Sequence, residues 1–191
     1  MTNDIIQMTT KKVNKTISAR KAKAPLYKAR PEASMSKTAD AEASYAYREK
    51  EKVIDFMGMD LKNFAFERKD ETYFIEVIRK GIPKKVIDHL MERIGLSENE
   101  MAQILHVSKR TLQRRAPREI LNPEQTERII ELAKLYSKGE EVLGEIGQFS
   151  GWMDQKLLAL GNKKPKDFLD TSIGIRILLD ELGRIEHGVY S

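Results

Sequence analysis

The stretch Leu96-Ser97-Glu98-Asn99-Glu100-Met101-Ala102-Gln103-Ile104-Leu105-His106-Val107-Ser108-Lys109-Arg110-Thr111-Leu112-Gln113-Arg114-Arg115 decides the fold class. Ser97 with Glu100 three positions on is a capping box, in which each side chain satisfies the other's backbone N–H, so a helix opens at Glu98. Met101, Ile104 and Leu105 recur at helical spacing, and Ala102 is small enough for close packing. The pattern breaks at His106-Val107. Ser108, a favoured N-cap residue, then opens a second helix that turns Leu112 inward and is otherwise polar. A short helix, a tight turn and a polar second helix make a helix-turn-helix. The turn position where glycine is common holds His106, which enters the left-handed region more readily than most residues.

The second helix has the side chains that groove reading requires. Lys109, Arg110, Arg114 and Arg115 can neutralise phosphates. Arg110 and Gln113 can make bidentate contacts to guanine or adenine edges. Ser108 can offer a hydroxyl and backbone amides to a phosphate, and Thr111 completes the candidate set. The competing reading is a solvated basic helix in an ordinary bundle.

Outward from this core the chain reads as helix throughout. On the amino-terminal side, Tyr47, Val53, Ile54, Met57 and Leu61 line one helix, with Gly58 weakening it. Asp70 opens another with Tyr73, Phe74, Val77 and Ile78 on one face, stopped by Gly81. Pro83 starts the next, with a stripe of Val86, Ile87, Leu90, Met91 and Ile94 ended by Gly95. His89 falls off that stripe and reads as a surface residue. On the carboxyl side, Asn122-Pro123-Glu124 starts a longer helix carrying Ile129, Ile130, Leu132, Ala133, Leu135 and Tyr136. Trp152, Met153, Leu157, Leu158 and Leu160 suggest a further helical core segment, with Trp152 in the core. Asp170 or Thr171 caps a last helix with the apolar face Ile173, Ile175, Ile177, Leu178, Leu179 and Leu182, and Gly183 is expected to end it. The expected class is all-α. Residues 1–44 form a basic arm, 45–120 a helical domain with the helix-turn-helix over 97–115, and 121–191 a second helical domain.

The closing residues Arg184-Ile185-Glu186-His187-Gly188-Val189-Tyr190-Ser191 alternate, with Ile185, His187 and Val189 on one side. That is the period of an extended segment, which needs a partner surface. It docks either on its own domain or in another protein.

Composition narrows the function classes. The 191 residues carry a net charge of +5, but residues 1–40 hold nine basic against three acidic side chains, so the remainder is nearly neutral. Local clusters, not the overall charge, must therefore argue for nucleic acid. With no cysteine there is no disulfide, thiolate metal site or thiol nucleophile. His89, His106 and His187 lie far apart, and no spacing suggests a metal site or a resident cofactor. No apolar run reaches the roughly 20 residues of a membrane span, and no secretory signal is evident, so the expected location is cytoplasmic. The arm from 1 to about 44 is Ala-, Ser-, Thr- and Lys-rich, broken by Pro25 and Pro31, and reads as disordered. No catalytic constellation or glycine-rich phosphate loop appears, so a non-enzymatic protein is expected.

From about Glu76 onward the chain resembles the Xre/MbcA/ParS-type antitoxins of RES-domain toxin–antitoxin systems. The resemblance is carried by Arg79-Lys80-Gly81-Ile82-Pro83, the Leu96-Ser97…Leu112 motif and Leu121-Asn122-Pro123-Glu124. It continues through Leu160-Gly161 with Pro165, Phe168-Leu169-Asp170-Thr171 and Gly183 to Ser191. It implies an Xre-like helix-turn-helix domain followed by a small helical toxin-binding domain with an extended C-terminal tail. It implies a toxin partner that depletes NAD, neutralised by direct binding with the C-terminal part over the toxin's active-site mouth. It also implies a dimer that binds the operator of its own operon.

On that resemblance, the toxin-binding residues are Arg184, Ile185, Glu186, His187, Gly188, Val189, Tyr190 and Ser191. Arg184 pairs with a toxin carboxylate or returns to its own helix end. Glu186 and the Ser191 carboxylate take the places of nucleotide phosphates, Gly188 allows close approach, and Tyr190 is an aromatic anchor. Lys163 and Lys164, with Lys166 beside Pro165, add rim contacts or form a solvated loop. The alternative function is a stand-alone helix-turn-helix repressor without a toxin partner.

Overall fold

In a computed structural model of the chain, residues 44, 47–59 and 72–189 are described. The expectations for the arm over 1–43, for Leu61 and Asp70, and for Tyr190 and Ser191 fall outside them. Among the described residues the fold is helical, and the only extended pairings are isolated bridges at Pro83–Ile120 and Leu157–Lys163. The helices are α1 (47–56), α2 (Tyr73–Lys80), α3 (Lys85–Ile94), α4 (Glu98–Ile104), α5 (Lys109–Arg114), α6 (Pro123–Leu143), α7 (Ile146–Met153) and α8 (Ser172–Glu186).

The long helix α6 organises the rest. It opens on Asn122, whose side chain accepts from the Gln125 N–H at 2.8 Å, with Pro123 in the first turn. Ile129, Ile130, Leu132, Ala133, Leu135 and Tyr136 are all buried, so more than half of its circumference faces the core, while Glu127, Glu131, Lys134 and Lys138 form a charged strip on the remainder. Helices α2, α3, α7 and α8 pack against it, and the buried side chains from Val53 to Leu182 form one hydrophobic cluster. Gly139 on α6 lets the Phe149 ring of α7 approach: a Cβ there would lie 2.4 Å from the ring. Phe149 meets Tyr136 edge to face at 5.0 Å and stacks with Trp152 at 5.6 Å, which places Trp152 at the core margin.

α1 ends earlier than its periodicity suggests, turning at Met57 and Gly58. Gly58 has φ 63°, and the imidazole of His89, an exposed residue, packs over it so closely that a Cβ would sit 2.6 Å away. The Trp152-to-Leu160 stretch also differs from the continuous helix expected of it. α7 stops at Met153, and a separate 3-10 turn covers Leu158–Leu160, with Leu158 exposed and Leu160 buried.

Candidate functional surfaces

The helix-turn-helix forms as the sequence directs. Ser97 Oγ accepts from the Glu100 N–H at 3.3 Å, and the Glu100 carboxylate accepts from the Ser97 N–H at 2.7 Å, completing the capping box. His106 takes φ 53°, so the histidine does make the left-handed turn. Ser108 accepts from the Thr111 N–H at 3.0 Å and shares a 2.7 Å hydroxyl contact with Thr111 Oγ1. Leu112 is the buried residue of α5. The helix is only six residues long because Ala116 precedes Pro117, which disfavours helical backbone. Beyond it the chain pairs back on the start of α3, through Lys84 N–H to Glu119 O at 2.8 Å and Leu121 N–H to Ile82 O at 2.9 Å. That return passes over Gly81, where a Cβ would meet the Leu121 carbonyl at 2.4 Å.

The candidate reading residues separate into two groups. Ser108, Arg110, Thr111 and Arg114 are exposed and, with Arg115 and Glu119, line a cleft of about 420 Å³. Lys109 and Gln113 are exposed but engaged: Glu98 accepts from Gln113 Nε2 at 2.8 Å and lies 3.5 Å from Lys109 Nζ. Arg115 is of another kind. Its side chain is 17% exposed, donates to the Gln125 side chain at 2.6 Å and pairs with Glu119 at 3.4 Å. It braces the exit of α5 against α6.

A second feature joins the two halves of the chain. A cleft of about 770 Å³ runs between α4, including Glu100, and the loop holding Lys164, Lys166 and Asp167. Lys166 Nζ reaches Asp154 at 3.2 Å and Glu100 at 3.5 Å across it. Burial raises the Glu100 carboxyl, but hydrogen bonds from Ser97 and the Lys166 charge outweigh it and hold the group below its ordinary range. The sequence offers Lys166 as a rim contact or a solvated loop residue, because nothing local announces a partner 66 positions away. Lys163 and Lys164 are exposed; the Lys164 N–H donates to Asp167 at 3.2 Å, closing the 3-10 turn Pro165–Phe168.

The carboxyl end differs from the extended tail that its alternation suggests. α8, capped by Thr171 accepting from the Gly174 N–H at 3.0 Å, runs through Gly183 and ends only at Glu186. Gly183 has no neighbour within 4 Å of a would-be Cβ and simply continues the helix. Ile185 lies one turn beyond Leu182 and packs against the same core, so helical burial overrides the apparent two-residue period. Arg184, Ile185 and Glu186 are therefore helical, and only His187, Gly188 (φ 67°) and exposed Val189 leave the helix within the described residues. Arg184 pairs with Glu181 at 2.7 Å, and Glu186 accepts from Lys138 at 2.8 Å, which lowers the Glu186 carboxyl. At the start of α8, Ser172 Oγ donates to Glu131 at 2.9 Å and accepts from Arg128 at 3.1 Å. Two residues expected on the buried face point outward instead: Ile173 is 65% and Ile177 40% exposed.

Comparison with known proteins places both halves. Residues 74–134 match the antitoxin Xre-like helix-turn-helix domain, and residues 138–188 match the antitoxin Xre/MbcA/ParS C-terminal toxin-binding domain. The two matches meet inside α6. The chain is 28% identical over 122 residues to antitoxin Xre of Yersinia enterocolitica, covering 63% of this chain and 82% of that protein. It is 28% identical over 127 residues to the Prs ADP-ribosylating antitoxin of a Sphingobium strain, covering 61% and 80%. A chain of the M. tuberculosis MbcT–MbcA toxin–antitoxin complex aligns at 23% identity over 56% of this chain and 96% of its own, with a TM-score of 0.42. Carrying the Xre-like helix-turn-helix and the toxin-binding module in that order, the chain belongs to the Xre/MbcA/ParS antitoxins.

Proposed function

We propose that this antitoxin binds and inhibits a RES-type, NAD-degrading toxin through its C-terminal module, and represses its own operon as a homodimer through the helix-turn-helix. The observation that carries the reading is the toxin-binding module matched over 138–188, whose last helix projects Arg184 at its exposed end. For the operator, the support is the exposed Arg110 and Arg114 beside the Ser108 cap, a geometry that combines phosphate neutralisation with base-edge donors. Division of labour follows the matched modules: DNA on the side of α4 and α5, toxin on the side of α7 and α8.

The test is co-expression with the product of the neighbouring gene, purification of the complex, and assay of NAD loss. A chain ending at Glu186 is the right truncation, because it removes 187–191 while keeping α8 whole. A complex that is silent with the full chain and consumes NAD with the shortened one supports inhibition by the last residues. A complex silent with both moves inhibition onto the helices. Absence of any complex defeats the toxin assignment and leaves a repressor.

A further inference from the structure

The outer face of α8 carries apolar side chains that its own fold does not use. With 3.6 residues per turn, Ile173, Ile177, Asp180 and Arg184 fall within a sector of about 60° on one side of the helix. Ile175, Leu178 and Leu182, all buried, occupy the opposite side. Beneath this face the helix is tied to α6 by that buried row and, near its start, by the Arg128–Glu131–Ser172 hydrogen bonds. An isoleucine pair four residues apart, continued by an acidic and a basic residue, has the form of a helix that lies in a groove.

We infer that this ridge docks in an apolar groove of the toxin, with Ile173 and Ile177 as anchors and Asp180 and Arg184 as its polar margin. The inference rests on the toxin-binding reading above and extends it from the chain end to the whole outer side of α8. Three observations choose the toxin over a second copy of this chain. The ridge lies wholly within the toxin-binding module, residues 138–188. It runs without interruption into Arg184, so both belong to one continuous surface. Its make-up, two apolar residues with charges close around them (Arg176, Asp180 and Arg184, all exposed), suits a non-obligate interface with a small apolar centre. An obligate dimer would need a broader apolar area. The groove that fits has an apolar floor, a basic group near Asp180 and a carboxylate near Arg184.

Ile173→Glu and Ile177→Glu, each in the full chain, test this against Ile75→Glu, an exposed isoleucine on α2 outside the module. Affinity for the neighbouring gene's product is measured by calorimetry, with circular dichroism and mass by light scattering on each variant. Each α8 variant should bind about 30-fold or more weakly, the scale of an interface hot spot, with helicity and mass unchanged and Ile75→Glu neutral. If Ile177→Glu loses helicity, Ile173→Glu, at the more exposed position, decides. Wild-type binding that survives both substitutions overturns the ridge while sparing the toxin reading. Failure of the wild-type chain to bind overturns both. A change in mass with unchanged toxin affinity assigns the face to self-association and overturns the inference.

Discussion

Helices α5 and α8 carry the two surfaces proposed above for DNA and for toxin, and they are built in opposite ways. α5 has six residues, one buried side chain, Leu112, and a cap from Ser108. α8 has fifteen residues, a buried row of Ile175, Leu178 and Leu182, and a part-buried hydrogen-bond network from Ser172 to Arg128 and Glu131 of α6 near its start. The difference matches what each surface is proposed to meet. Phosphates attract long cationic side chains at a distance and tolerate adjustment, so a short helix suffices to present Arg110 and Arg114. An apolar contact acts only at close fit, so its helix has to be held in place before the partner arrives. Adaptability is concentrated in the side chains of α5, and rigidity in the backbone of α8.

The sharpest way to break this comparison is to remove the single anchor of α5. Leu112→Ala should cost about 2–5 kcal/mol of stability, the range for a leucine truncated in a packed core, as read by denaturant unfolding. At temperatures where the variant stays folded, operator binding should fall severely and toxin binding should persist. Equal loss of both would mean that the two surfaces share one cooperative unit.

Much of α5 could be read from residue types alone, because capping is local chemistry. Ser97 with Glu100, Ser108 and Asn122 all cap as their spacing demands, and His106 accepts the left-handed turn. What the sequence concealed depends on contacts between distant residues. The Arg115 side chain looks like another phosphate ligand until Gln125 and Glu119 are seen to hold it. Lys166 looks solvated until Glu100 comes into reach. The chain end misled for a different reason. Over so few residues Leu182, Ile185 and Val189 satisfy a helical period while Ile185, His187 and Val189 satisfy an extended one, and only the core beneath Ile185 decides. Ile173 and Ile177 were assigned inward because an apolar residue on an amphipathic helix is ordinarily core. Here that expectation fails, since Ile173 and Ile177 are exposed.

A finer comparison separates arginines within the reading surface. Arg110→Ala and Arg114→Ala should each weaken operator binding by about 1–3 kcal/mol if they contact bases, with melting unchanged. Arg115→Ala should behave the other way, lowering stability by about 1–3 kcal/mol because it deprives the buried Gln125 side chain of a charged donor. Gel-shift titration over a range of salt, beside thermal melting, distinguishes them. An Arg115→Ala protein with wild-type melting and weak operator binding would return that residue to the DNA surface.

The bridge across the cleft between the halves should be weaker still. Glu100 and Asp154 are both substantially exposed, so Lys166→Met is expected to cost about 1 kcal/mol or less at neutral pH. Its signature is the pH dependence. The folded chain holds Glu100 ionised below its ordinary range, so this contribution is complete above the unfolded-state pKa and disappears as pH falls through the lower, folded value. The wild-type and Lys166→Met melting temperatures should therefore converge in acid. Curves that stay parallel down to low pH would show that the lysine acts through packing of its stem and not through its charge.

The smallest effect on stability should come from Glu186→Gln, and it bears most directly on where the toxin surface ends. The Glu186 pair with Lys138 is solvated, so melting should not move. Glu186 projects on a different side of α8 from Ile173 and Ile177, since it faces α6 through Lys138. As a charge at the margin of the contact it should govern encounter more than residence: association with toxin should change with little effect on dissociation, and the change should fade as salt is raised. The ridge substitutions should do the reverse, speeding dissociation at every salt concentration. If Glu186→Gln instead speeds dissociation as strongly as Ile177→Glu does, the toxin grips the end of α8 from both sides. The contrast between a rigid ridge and an adaptable margin would then give way to a single enclosing socket.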